Sequence, residues 1–268
     1  MINNGRKNIL GIQIDAVDYE GAVEAVTSAA KNKQPFAISA LAVHGVMTGV
    51  LDRVHRYRLN DLEMVVPDGQ PVRWALNLLH GAKLPDRVYG PTLTLKVCER
   101  AAKEGLPIFL FGGTQDLLNL LKTRLEEKFP GILIAGMKAS KFRRLNEQER
   151  DELVEEIKAT GAAITLCGIG CPRQEVWAFE FRKRLSMPVL AVGAAFNFHA
   201  GLLPQAPPLM QDYGFEWLFR LVQEPKRLWR RYLYLNPLYA SLFAAQYLHV
   251  WRPNLKDADQ PTGEILYG

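Results

Sequence analysis

Asp68 stands in Val65-Val66-Pro67-Asp68-Gly69, where a short apolar run ends in turn-forming residues. A carboxylate held there can take a proton from a hydroxyl, and the same Asp-Gly pair can simply make the turn. Further on, three apolar runs end in glycine: at Gly112-Gly113, at Gly168-Ile169-Gly170 and at Gly193. Glycine at a strand end lets backbone amides approach a phosphate, although any one pair also serves as a tight turn. Three such ends on one sheet edge point to a nucleotide. None completes Gly-x-Gly-x-x-Gly with its downstream acid, and no Tyr-x-x-x-Lys is present, which argues against a nicotinamide dehydrogenase or epimerase.

These residues need strands and helices to bring them together. Apolar runs at Phe36-Ala-Ile-Ser, Val65-Val66, Pro107 to Phe111, Ile132 to Ala135, Ala163 to Cys167 and Pro188 to Val192 read as buried strands. Helical spacing covers Gly21 to Ala30, Val46 to Arg58, Asp116 to Lys128, Asn146 to Thr160 and Glu175 to Leu185, with Asn146 and Glu149 spaced as a capping box. The alternation predicts an α/β, Rossmann-like fold with a mostly parallel sheet covered by helices on both faces. Ligands in such sheets bind at the carboxyl ends of the strands, where the glycines lie.

The 268 residues are 48% hydrophobic and 23% charged, an ordinary globular composition. The apolar run Ile9-Leu-Gly-Ile-Gln-Ile is too short for a secretory signal or a membrane span, so a cytoplasmic protein is expected. Cys98, Cys167 and Cys171 have neither disulfide-framework nor zinc spacing. The net charge of +5 implies an anionic partner and is concentrated late in the chain. Arg220, Lys226, Arg227, Arg230 and Arg231 alternate there with Trp217, Leu221, Trp229 and Tyr232, a pattern that suits an anionic bilayer surface or a packed helix with a solvated basic face. The expected division is an α/β core over 1–205, a helical basic aromatic appendage over 206–252 and a polar tail over 253–268. Asp257-Ala-Asp259 in that tail looks like a metal motif but has no flanking strand, and His199 reads as a packed or solvated histidine.

Six segments, in order, resemble the WecG/TagA/CpsF family of bacterial glycosyltransferases. They are Val66-Pro-Asp-Gly-Gln, Asp86-Arg-Val-Tyr-Gly, Phe111-Gly-Gly-Thr, Gly168-Ile-Gly-Cys-Pro-Arg-Gln-Glu, Val192-Gly-Ala-Ala-Phe-Asn-Phe-His-Ala-Gly and Gly214-Phe-Glu-Trp-Leu-Phe-Arg-Leu-Val-Gln-Glu-Pro-Lys-Arg. The resemblance implies a hexosyltransferase that uses neither metal nor cofactor. It would move a sugar, often N-acetylmannosamine, with inversion from a UDP donor to a polyprenyl-diphosphate-linked sugar in cell-surface polymer synthesis. It makes Asp68 the base and Arg87 the stabiliser of the leaving diphosphate, where a surface salt bridge is the competing role for Arg87. Gly112, Gly113, Gly168 and Gly170 would cradle the nucleotide, Gln174 and Glu175 would meet sugar or ribose hydroxyls, and Arg220, Arg227 and Arg230 would close over the diphosphate. For Glu175 the plainer alternative is a charge favouring a helix N-terminus.

Two departures from the family stand out. The family's Thr-x-Asn becomes Ile38-Ser-Ala-Leu-Ala-Val-His-Gly, which makes Ser39 the stand-in for threonine and His44 the candidate for the missing asparagine. Its Arg-Ala-Pro becomes Gln205-Ala-Pro. Expected partners are the UDP-sugar, the lipid-linked acceptor and the inner face of the plasma membrane, to which the protein would bind peripherally. No nucleic acid is expected, and association of identical chains stays open. The competing reading is a catalytically silent nucleotide-binding module at the membrane surface.

Overall fold

A computed structural model describes residues 1–268. The chain opens with β1 (Asn3–Ile9) and β2 (Ile12–Val17), followed by α1 (Tyr19–Lys31), β3 (Phe36–Leu41), α2 (Val43–Leu51), α3 (Arg53–Asp61) and β4 (Met64–Pro67). Next come α4 (Gln70–His80), α5 (Gly90–Glu104), β5 (Ile108–Phe111), α6 (Gln115–Lys128), β6 (Ile134–Lys138) and α7 (Glu147–Ala159). The last elements are β7 (Ile164–Cys167), α8 (Arg173–Leu185), β8 (Pro188–Ala191), α9 (Ala195–His199), α10 (Pro208–Asp212), α11 (Glu216–Gln223) and α12 (Pro225–Tyr247).

Strands β3 to β8 form one sheet in the order β4-β3-β8-β7-β5-β6, with every pairing parallel. Strands β4, β5, β7 and β8 are buried along their whole length, as apolar runs covered on both faces must be. Side chains alternate between two cores: Phe109, Phe111 and Val189 join Trp177 and Phe181 on one face, while Ile108, Leu110 and Leu190 join Leu118 and Phe196 on the other. The β1–β2 hairpin lies beside edge strand β4, where Oδ2 of Asp15 accepts the Val65 amide at 2.7 Å.

The predicted α/β class is what folds, with an all-parallel rather than mostly parallel sheet. The helix expected over Val46 to Arg58 is two helices. Asp52 leaves helical geometry (φ −124°, ψ 111°) and its carboxylate accepts the His55 amide at 2.9 Å, capping α3. Strand β6 starts two residues later than expected. The capping box at Asn146 and Glu149 is present. The hairpin, α4 and α5 lie outside the predicted elements.

Helix α12 does not stand apart from the core, since Leu235 and Tyr239 share a hydrophobic cluster with the sheet. The tail is polar but docked. Asp259 pairs with Arg53, Glu264 with Arg150 and Arg184, and the Ile265 and Leu266 amides donate to Glu180. Asp259 is thus spent on holding the tail to α3. No helix is long and apolar enough to cross a membrane.

Candidate active site

The carboxyl ends of five strands surround a cavity of about 490 Å³. Ala40 and Leu41 end β3 and Ala42 and His44 follow it, Asp68 follows β4, Gly113 follows β5, Gly168 to Cys171 follow β7, and Val192 to Ala195 follow β8. Helices α2, α5 and α6 begin at this cavity, so the positive ends of their dipoles favour an anion there.

The turn that holds Asp68 is tied from both sides. Its amide donates to the Leu41 carbonyl at 3.1 Å, and the Val88 amide donates to the Pro67 carbonyl at 2.8 Å. The Gly90 amide, at the start of α5, donates to Asp68 Oδ1 at 2.5 Å. Burial pushes the Asp68 carboxyl up to about 6, opposed by the Arg87 charge, reinforced by the Glu216 charge and opposed again by the Gly90 amide and Arg220. Such a group is ionised at neutral pH and is a stronger proton acceptor than an ordinary aspartate.

A second cavity, of about 400 Å³, opens between α4 and the pair α11 and α12. Its walls include Trp74, Leu78, Trp217, Tyr232, Tyr239 and Phe243. The two cavities share Ala42, His44, Asp68, Glu216, Arg220 and Arg231. Asp68 therefore sits where a glycine-lined chamber meets an aromatic one. The model described as the glycosyl transferase WecG/TagA/CpsF family matches residues 7–253. The chain belongs to that family.

In this glycosyltransferase the arginines sort by helical register. Arg220 lines both cavities and Arg227 lines the first, as expected. Arg230 lines neither and lies 5.2 Å over the exposed Trp229 ring, whereas Arg231 lines both. Neighbouring helical residues differ by roughly 100° in direction, while Arg227 and Arg231, four apart, share a face. Arg231 therefore replaces Arg230 at the site. Arg87 lines the second cavity only, and its Nη1 is 2.9 Å from Glu216 Oε2. It neither forms the surface salt bridge considered above nor faces the chamber where a donor diphosphate was expected.

Ser39 and Glu175 are fully buried and touch neither cavity. Ser39 Oγ donates to Glu175 Oε1 at 3.0 Å, and Gln174 Nε2 donates to the same oxygen at 2.9 Å. Gln174 does line the first cavity, and its Oε1 accepts the Gly170 amide at 3.1 Å. Behind the wall, Ser39 and Glu175 thus orient Gln174, which holds the Gly170 turn, so the expected ligand contacts of Ser39 and Glu175 give way to a supporting role. Burial pushes the Glu175 carboxyl up.

Gly113, Gly168 and Gly170 line the chamber, but Gly112 does not. Gly112 has φ +120°, and a Cβ there would meet the Gly168 carbonyl carbon at 2.8 Å, so its role is to let the ends of β5 and β7 approach. His44 lines both cavities, and burial, then the charges of Arg231, Arg220 and His55, push it down to about 3, leaving a neutral imidazole. His199 pairs with the Pro91 carbonyl at 2.8 Å and lines neither cavity.

Glu216 and Tyr89 carried no expectation, and Arg231 was expected only as part of the basic surface, not at the site. Glu216 and Tyr89 lie inside two of the six matching segments, so the signal was present, but sequence order does not reveal that they meet.

Proposed function

We propose that the protein transfers a hexose, an N-acetylhexosamine such as N-acetylmannosamine, from a UDP-sugar to a sugar borne on polyprenyl diphosphate for cell-surface polysaccharide. The observation that carries this reading is Asp68 at the junction of the two cavities. The donor occupies the glycine-lined chamber and the acceptor enters through the aromatic one. Asp68 accepts the proton of the acceptor hydroxyl as its oxygen bonds the sugar's anomeric carbon, and the bond to phosphate breaks on the opposite face with inversion. Its electron pair leaves with UDP, whose charge is met by Arg220, Arg227 and Arg231 and by the helix N-termini. These groups supply the charge compensation, so the scheme invokes no metal.

The exposed side chains Leu218, Val222, Trp229, Leu233 and Tyr234 on α11 and α12, with Lys226 and Arg230, suit a peripheral position on an anionic membrane, the inner face of the plasma membrane. That position brings the aromatic cavity to a lipid-borne acceptor. The test is incubation of the protein with a panel of UDP-hexoses and a short prenyl-diphosphate-N-acetylglucosamine, read by mass. The expected product gains one hexose unit and releases UDP. Absence of product from every donor overturns the reading.

A further inference from the structure

Glu216 belongs to α11, while its two bonding partners precede α5 in the core. Its Oε2 is 2.9 Å from Arg87 Nη1, and its Oε1 accepts the Tyr89 hydroxyl proton at 2.7 Å. Arg87 also donates from Nη2 to Gln211 Oε1 at 3.1 Å, and its guanidinium lies 4.2 Å over the Tyr89 ring. The side chains of Arg87 and Glu216 are 6% and 14% exposed. Both charges act on Asp68, and Arg87 in turn feels the carboxylates of Glu216 and Asp68. A buried guanidinium must have an acceptor, and here it is bonded to Glu216 and Gln211 rather than to Asp68.

We propose that Glu216 is a positioning residue: docked with α11, it holds Arg87 away from Asp68 and so leaves the catalytic carboxylate free to accept a proton. Without Glu216, Arg87 keeps its burial and loses its counter-charge. Asp86 is exposed and already accepts the Arg87 backbone amide, so Asp68 is the carboxylate to which the guanidinium turns. Paired in this way, Asp68 has its lone pairs masked and its basicity reduced. The base is thereby competent only when α11, which helps wall both cavities, is docked. The other groups that face Asp68 are Arg220, the hydroxyls of Tyr19 and Tyr89, and the neutral His44 across the shared wall.

This proposal rests on the reading of Asp68 as base, but its test needs no substrate. The γ-carboxyl of Asp68 is followed by carbon NMR against pH, its signal assigned by loss in Asp68→Asn. In Glu216→Gln the midpoint should fall by about one unit or more, the size of a nearby-charge effect. In the double variant Glu216→Gln with Arg87→Met it should return towards the wild-type value, since the captor is gone. A midpoint unchanged in the single variant, or low in both, overturns the proposal, the latter because water entry rather than Arg87 would then be the cause. Glu216→Asp, which keeps a negative charge near Asp68 but shortens its reach to Arg87, separates release of Arg87 from loss of the Glu216 charge and serves where Glu216→Gln fails to fold: its midpoint should also fall, and an unchanged midpoint there overturns the proposal. In turnover, Glu216→Gln should lose roughly 100-fold in kcat, within the span of general-base effects, while UDP affinity shifts far less. Absence of sugar transfer by the wild type would sink the functional reading and leave the titration result standing.

Discussion

The Gly90 amide donates to Oδ1 of Asp68 at 2.5 Å, joining the start of α5 to the turn after β4. A Cβ on residue 90 would sit 3.3 Å from that oxygen and from the Ala40 Cβ, a tight contact that glycine avoids. Oδ1 is thereby committed, and Oδ2 is left for the substrate hydroxyl.

Asp68→Asn should lower kcat by about 10³-fold, a typical general-base effect, with UDP affinity by calorimetry little changed. The wild-type rate should follow the ionised carboxylate. Because the Asp68 carboxyl is raised to about 6, kcat should be flat at neutral pH and decline as pH falls through about 6. An acid limb near the ordinary aspartate range, about 4, would contradict that environment.

Arg231→Ala should cost roughly 10- to 100-fold in kcat/KM for the UDP-sugar, the worth of a charge-assisted hydrogen bond to phosphate. Arg230→Ala, on the outer side of α12, should stay within about twofold, as exposed substitutions usually do. Steady-state kinetics of the two variants side by side decides the register. Equal losses would contradict the assignment of Arg231.

A Cβ on Gly168 would lie 2.6 Å from Phe196 Cδ2, inside the second core. Gly168→Ala should therefore destabilise the fold by about 1 to 3 kcal/mol through overpacking and shift the wall that faces the donor. Thermal unfolding should show a lower Tm, with weaker UDP binding in the folded fraction.

Leu233, Val222 and Trp229 are 70%, 72% and 47% exposed. Replacing all three by serine should leave the Tm nearly unchanged and weaken binding to anionic vesicles in a sedimentation assay. Truncation before Gly214 is a poorer test than it looks from sequence. It would strip Leu228, Leu235 and Tyr239 from the core as well as the exposed residues.

Parts of this molecule follow from local chemistry. Apolar runs such as Ile164 to Cys167 announce buried strands, Asn146 and Glu149 announce a helix start, and the six ordered segments announce the family and Asp68. The strand and helix signals act over a few residues, through periodicity, caps and turn propensity, and the six segments speak through resemblance, so the chain alone carries both. Tertiary packing decided the rest. Ser39 meets Glu175 across 136 residues and Tyr89 meets Glu216 across 127, and neither pair has a local signature. Whether Arg230 or Arg231 faces the substrate depends on which side of α12 buries Leu228 and Leu235, one residue of rotation that composition does not record. The aromatic cavity likewise exists only because α4 and α12, more than 140 residues apart in sequence, are brought to face each other beside Asp68.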